Sequence, residues 1–212
     1  LSPEASEPGD DSDPPAARTL RQKLGRGLLR LVGWSVEERL PPVPRYVCIG
    51  APHTTNWDLA VGLAAMLALG FPPRWVGKHT LFRGPMGPLM RALGGVPVDR
   101  RVSTDFVSQI VERFRRAEER NEPFVLVIAP EGTRSPTERW KTGFYHIARQ
   151  AGVPIALGYA DYPNRRTGVG GWIQPTGDVE ADMERIRDFY ADKRGKRPEN
   201  QGPVRASADG TD

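Results

Sequence analysis

His53 and Asp58 are the residues of this 212-residue sequence best suited to moving a proton. They lie in Ala51-Pro52-His53-Thr54-Thr55-Asn56-Trp57-Asp58, directly after an apolar run that reads as a strand. At this spacing they would stand about 140° apart around a continuous helix and face away from each other. They meet only if His53 belongs to a loop and Asp58 to the first helical turn. The Pro-His-Thr-Thr-Asn run, rich in capping residue types, favours that break. The result is an imidazole with its tautomer fixed by a carboxylate, which is the arrangement of a general base. The alternative is a loop histidine that caps or hydrogen-bonds, with Asp58 improving the helix dipole.

A second group follows another apolar strand: Ala129-Pro130-Glu131-Gly132-Thr133-Arg134-Ser135. Pro130 and Gly132 impose an irregular turn, and Arg134 then projects from a strand end as a planar fork suited to phosphate or carboxylate. The competing reading is a turn stapled by a Glu131–Arg134 ion pair. Gly94-Gly95-Val96-Pro97-Val98-Asp99-Arg100 ends a third strand on a cation, and Lys78 closes a fourth. Strand-terminal cations beside one histidine argue jointly for an anionic ligand.

Other chemistries lack their residues. There is no G-x-S-x-G for a nucleophile elbow. His79 follows Gly77-Lys78 where a phosphate-binding loop needs Ser or Thr. No H-E-x-x-H or Cys/His cluster suggests a metal site, so none is expected. Gly168 to Gly171 is not a dinucleotide fingerprint and reads as a hairpin turn. Cys48, the single cysteine, excludes a disulfide scaffold and fits a core position in a reduced, cytoplasmic setting.

The elements that must hold these groups alternate. Arg45–Ala51, 74–77, Gly95–Val98, 123–129 and 154–160 read as strands. Trp57–Leu69, 85–93, 104–121, 142–151 and 179–191 read as helices, with Phe106, Ile110, Val111 and Phe114 marking one apolar face. This alternation predicts an α/β layered domain: a mainly parallel central sheet flanked by helices, preceded by an N-terminal amphipathic helix. In such sheets ligands bind at strand ends and in the loops after them.

The formal charge is +4, from 30 Lys and Arg against 26 Asp and Glu. Residues 1–17 hold Glu4, Glu7, Asp10, Asp11 and Asp13 without a base and are rich in Pro, Ser and Gly, so they are expected to form a disordered acidic tail. No secretory signal is visible at that end. Residues 18–40 read as a basic amphipathic helix. Leu20, Leu24, Leu28 and Leu31 share a stripe, Lys23, Arg26 and Arg30 gather away from it, and Trp34 follows. Such a helix lies in an anionic membrane surface, or it packs its leucines on the domain with the charges solvated. Residues 41–192 form the expected catalytic-type domain and 193–212 a flexible polar tail. The longest apolar run, Leu59 to Gly70, is shorter than the ~20 residues of a membrane span.

The chain resembles the glycerolipid and lysophospholipid acyltransferase family. His53-Thr-Thr-Asn-Trp-Asp58 resembles its H-x4-D block, Gly94 to Arg100 its second block, and Pro130-Glu131-Gly132-Thr133-Arg134 its third. Val153-Pro154-Ile155 resembles the fourth, with Leu157-Gly158 where that block continues with proline. Lys78, and Lys141 with Gly143, also stand where the family places such residues. The resemblance implies one-step acyl transfer without a cofactor. His53 takes the proton of an acceptor hydroxyl, Asp58 holds His53, and an acyl-CoA or acyl carrier protein thioester donates the acyl group. Lys78, Arg100 and Arg134 would grip the acceptor's phosphate, Glu131 would position the acceptor or Arg134, and Gly132 and Thr133 would shape that turn. Backbone amides near Gly132 and the Lys78 ammonium are the oxyanion candidates. A lysolipid acceptor implies peripheral attachment to the cytoplasmic face of a membrane through Arg18–Trp34, helped by Phe82, Met86 and Leu89. Another lysolipid acceptor, an aminolipid or glycolipid, fits the same chemistry. A basic module for nucleic acid is the rival suggested by a pI near 9.5. No groove-reading or single-strand module is recognisable, so no nucleic-acid partner is expected.

Overall fold

The computed structural model describes residues 18–71, 74–98 and 103–206. Its elements are α1 (Leu20–Leu31), β1 (Ser35–Glu38), β2 (Arg45–Ala51), α2 (Trp57–Leu69), β3 (Trp75–Lys78), α3 (Met86–Ala92), β4 (Gly95–Val98) and α4 (Ser103–Glu119), then β5 (Phe124–Ile128), α5 (Gly143–Gln150), β6 (Ile155–Asp161), β7 (Arg166–Ile173) and α6 (Val179–Tyr190). Short 3-10 turns cover His79–Phe82 and Pro198–Asn200. The strands make one sheet in the order β1-β7-β6-β2-β5-β3-β4. The β6–β7 pair is antiparallel and the other neighbours are parallel.

The period of two along β2 sorts the layers. Val47, Ile49 and Ala51 join a core with Phe114 of α4, Phe144 and Tyr145 of α5, and Ile186 and Tyr190 of α6. Tyr46 and Cys48 point to the other face, where Leu69 of α2 covers them. A sheet covered on both faces explains why β2 and β6 are near-continuous apolar runs. Burying each such Val or Ile contributes roughly 1.5–3 kcal/mol. Because β2, β5 and β6 run parallel, Ala51, Ile128 and Asp161 end at one edge. The loops that follow all open there.

The N-terminal helix is shorter than the 18–40 expected, and its end is built from its own sequence. Gly33 adopts φ +79°. Its N–H donates to Arg30 O at 2.9 Å, while Trp34 N–H reaches Leu29 O at 2.8 Å. This left-handed cap turns the chain out of the helix, and β1 follows within the sheet. The side facing α2 is Gly25 and Leu29, which are buried. A Cβ at position 25 would stand 2.5 Å from the Ala68 backbone nitrogen, so the two helices touch through a glycine. The leucine stripe therefore points outward, with Leu20 83% and Leu31 82% exposed. The expectation that these leucines pack on the domain is overturned.

Three further expectations are corrected. Gly168 to Gly171 is not a hairpin turn but the middle of β7, where β1 presses on Gly168 and the Phe189 and Tyr159 rings press on Gly170. Residues 193–206 are not a loose tail, since Trp140 N–H bonds Arg205 O at 2.6 Å and Arg197 N–H bonds Thr54. Phe82 is buried with Trp75 and Met90 and cannot face a bilayer. The acidic segment 1–17 and residues 207–212 lie outside the described residues.

Candidate active site

The break between strand and helix puts His53 in a loop and Asp58 in the first turn of α2. His53 Nδ1 then stands 3.4 Å from Asp58 Oδ2, with side chains 28% and 7% exposed. That distance is longer than an ordinary hydrogen bond, and histidine–acid contacts commonly tighten only around substrate. The Asp58 carboxylate is held from every other direction. Oδ2 accepts the Thr54 and Thr55 N–H groups, both at 2.7 Å. Oδ1 accepts the Thr55 hydroxyl at 3.0 Å and the Tyr162 hydroxyl at 2.7 Å.

Glu131, from the turn after β5, reaches the same loop from the other side: its Oε2 accepts the His53 N–H at 2.7 Å. It is 6% exposed. Burial raises its pKa to about 7, the His53 N–H opposes that rise, and the nearby Asp58 charge adds to it. Asp58 goes the other way. Burial alone would raise it, but the bonds from His53, Thr55 and Tyr162 outweigh burial and hold it below 3.8. One acid of the site is thus ionised at neutral pH and the other titrates there. Tyr162 is pushed up by burial and by its bond to Asp58, so its hydroxyl stays a donor.

The other sequence-selected residues divide. Glu131 is at the His53 loop and makes no ion pair with Arg134 among the described residues, so the stapled turn does not form. Arg134 is exposed. Gly132 N–H donates to Ala129 O at 3.1 Å, which closes the turn and occupies that amide as an oxyanion donor. Thr133 accepts the Ser135 N–H at 3.2 Å. Lys78 ends β3; its side chain, and the whole of Arg100, lie outside the described part. Burial lifts the Cys48 thiol to about 12 within the sheet, so it is no nucleophile. Among the described residues no His, Cys, Asp and Glu group could hold a metal, and no helix is long and apolar enough to cross a membrane.

Sequence reasoning missed Tyr162 and the C-terminal segment. Tyr162 stands 104 residues after Asp58, in the turn between β6 and β7, and nothing local marks it. Its ring meets Trp34 edge-on at 4.9 Å. Arg197 N–H and Asn200 Nδ2 reach Thr54 Oγ1 and O at 3.2 and 3.4 Å, which buries Thr54 beside the histidine.

Comparison with known proteins bears on this arrangement. Residues 33–156 match the family described as Acyltransferase. The 1-acyl-sn-glycerol-3-phosphate acyltransferase of Haemophilus influenzae is 34% identical over 138 residues, covering 60% of this chain and 54% of that protein. The chain therefore spans about half the length of that curated relative. The crystal structure of the 1-acyl-sn-glycerophosphate (LPA) acyltransferase PlsC from Thermotoga maritima aligns with a TM-score of 0.49 and 16% identity over 79% of this chain and 74% of that one. The matched family span contains His53, Asp58 and the Glu131 turn and exceeds half of the sequence. The chain belongs to the acyltransferase family.

Proposed function

We propose that the chain transfers a fatty acyl group from acyl-CoA or acyl carrier protein to the free hydroxyl of a lysophospholipid such as 1-acylglycerol-3-phosphate. The observation that carries this reading is the His53–Asp58 pair, 3.4 Å apart at the carboxyl edge of the parallel strands. With Nδ1 turned to Asp58, His53 has Nε2 left to take the acceptor's hydroxyl proton. The oxygen attacks the thioester carbonyl, a C–O bond forms, and the tetrahedral oxyanion collapses. The C–S bond breaks, and the thiolate leaves with the proton that the imidazolium returns. Asp58 stabilises that imidazolium, and Tyr162 acts as a positioning residue by fixing the second carboxylate oxygen. A positioned base contributes ~10²–10⁴ in rate, so orientation and oxyanion stabilisation supply the remainder. Arg134, with Lys78, which ends β3, and Arg100, which follows β4 in sequence, binds the acceptor's phosphate. Glu131 orders the histidine loop through its backbone.

The acceptor and product are lipids, and α1 supplies the contact with a bilayer. Its outward leucines adjoin Val32, 58% exposed, and Arg21, Lys23 and Arg30 lie on the same exposed helix. Apolar burial and attraction to anionic lipid act together in such a helix. Arg26 is excluded from that role because it pairs with Glu38.

An acylation assay over lysophospholipids, lyso-aminolipids and lysoglycolipids, run beside His53→Ala, tests the reading and names the acceptor. Transfer to a phosphate-bearing lysolipid that disappears in the variant is the expected result. Full turnover by the variant would end the mechanism.

A further inference from the structure

Outside the family-matched span, Lys193-Arg194-Gly195-Lys196-Arg197 places four cations in five residues. This run forms a strap fixed across the histidine loop. Gly195 lies against Thr54 and Pro52, where a Cβ would stand 2.7 Å from the Thr54 side chain. Arg194 N–H bonds Asp161 Oδ1 at 3.2 Å, and Arg194 O accepts the Tyr162 N–H at 3.0 Å. Lys196 Nζ sits 4.7 Å from the Trp57 ring centroid. Lys193 pairs with Asp192 at 2.6 Å, and the same carboxylate feels the Arg194 charge from further away.

Beside the strap, an open groove of about 470 Å³ runs between the end of α6 and residues 201–205. Arg187, Arg194 and Arg205 line it and no acidic residue does. Arg187 Nε bonds Val204 O, and Arg194 bonds the Ala191 and Lys193 carbonyls. Such bonds orient a guanidinium without cancelling its charge. None of Arg187, Arg194, Lys196, Arg197 and Arg205 forms a salt bridge with a described carboxylate. Guanidinium forks gathered with no carboxylate in salt-bridge contact repel one another, and a phosphate relieves that repulsion while accepting paired hydrogen bonds.

Position selects which phosphate. Helix α6 covers the sheet face packed by α4 and α5, whereas α1 and α2 cover the opposite face. A lipid whose chains enter at α1 keeps its head group near that side. The groove opens on the other side and is joined by the strap to the loop carrying His53. We infer that the strap and groove bind the phosphate groups of a coenzyme A thioester, whose nucleotide end lies among Arg187, Arg194 and Arg205 while the thioester reaches His53. This inference rests on the acyl-transfer reading for its ligand, but its direct binding test does not.

The test compares the full chain with Arg194→Gln/Arg205→Gln and with the charge-retaining Arg194→Lys/Arg205→Lys, after thermal melts establish that all are folded. Calorimetry with free coenzyme A should show binding weakened about tenfold or more in the glutamine variant, the scale of losing one charged hydrogen bond, with partial recovery in the lysine variant. KM for palmitoyl-CoA should rise by a similar factor, and the defect should vanish with palmitoyl-pantetheine, which lacks the phosphates. Unchanged coenzyme A binding, or an equal defect with palmitoyl-pantetheine, overturns the inference. A rise in KM for the lysolipid alone assigns the cations to a head group and overturns it too, as does activity confined to acyl carrier protein. Arginine-dependent coenzyme A binding without any acyl transfer would remove the acyl-transfer reading and leave the groove standing.

Discussion

Asp58 receives the Thr54 and Thr55 amides, the Thr55 and Tyr162 hydroxyls and the edge of His53 on two oxygens. A carboxylate so surrounded holds its charge and its direction, and in the proposed mechanism it leaves proton transfer to the imidazole. His53→Ala should therefore lower kcat by ~10²–10⁴, while melting temperature changes little because the side chain is partly exposed. Tyr162→Phe is the sharper test, since it removes one donor and keeps the ring against Trp34. Losing a hydrogen bond to a charged group corresponds to about tenfold in kcat. Steady-state kinetics should show that loss in kcat with KM for the donor nearly constant. The pH at which Asp58 takes a proton, followed by carboxylate NMR, should also move upward, because one of the bonds lowering its pKa is gone. A Tyr162→Phe enzyme with wild-type kcat and an unmoved Asp58 titration would reduce Tyr162 to a packing residue.

At the scale of elements, the strands and helices with strong apolar runs were legible. Arg45–Ala51, Trp57–Leu69 and Gly95–Val98 form with the bounds that the sequence predicts. The elements missed draw their stability from neighbours. In strand β7 a Cβ at position 168 would stand only 2.1 Å from Glu37 O of β1, and one at position 170 would stand 2.8 Å from the Phe189 ring; no alternation marks this strand. Strand β1 is a short charged edge. The periodicity of α1 disclosed its leucine stripe but not which face met the domain, since the contact with α2 is made through Gly25 rather than through large side chains. That outward stripe carries a prediction. Leu24→Glu/Leu28→Glu changes two side chains 57% and 47% exposed, so the unfolding free energy should change by no more than surface substitutions usually cause, about ±0.5 kcal/mol at each position. Co-sedimentation with vesicles containing phosphatidylglycerol should be lost. Retained sedimentation would show that α1 is not the docking element.

For the whole molecule, the candidate site was legible where its parts follow strands in sequence, at His53, Asp58 and Glu131. It was illegible where distant segments close over it, at Tyr162 and the strap. Glu131 is buried at the same edge of the sheet, and that burial couples the site to global stability. An unfolded Glu131 would ionise near 4.5, whereas in the fold its pKa is about 7. Between these values the unfolded chain binds fewer protons at this position, so stability must fall as pH rises, and the loss is complete above about 7. The difference corresponds to something on the order of 3 kcal/mol. Asp58 has the opposite sign: its lowered pKa stabilises the fold above 3.8, and that contribution is lost as pH falls through the folded value. Comparing Glu131→Gln with the parent isolates the Glu131 effect, because glutamine keeps an acceptor for the His53 N–H and has no charge to bury. Urea midpoints of the two should be close at pH 5 and should separate toward pH 8, with the glutamine variant the more stable. Parallel curves across that range would mean that Glu131 ionises in the folded chain as it does in water, and that the loops at the sheet's carboxyl edge do not exclude solvent from it.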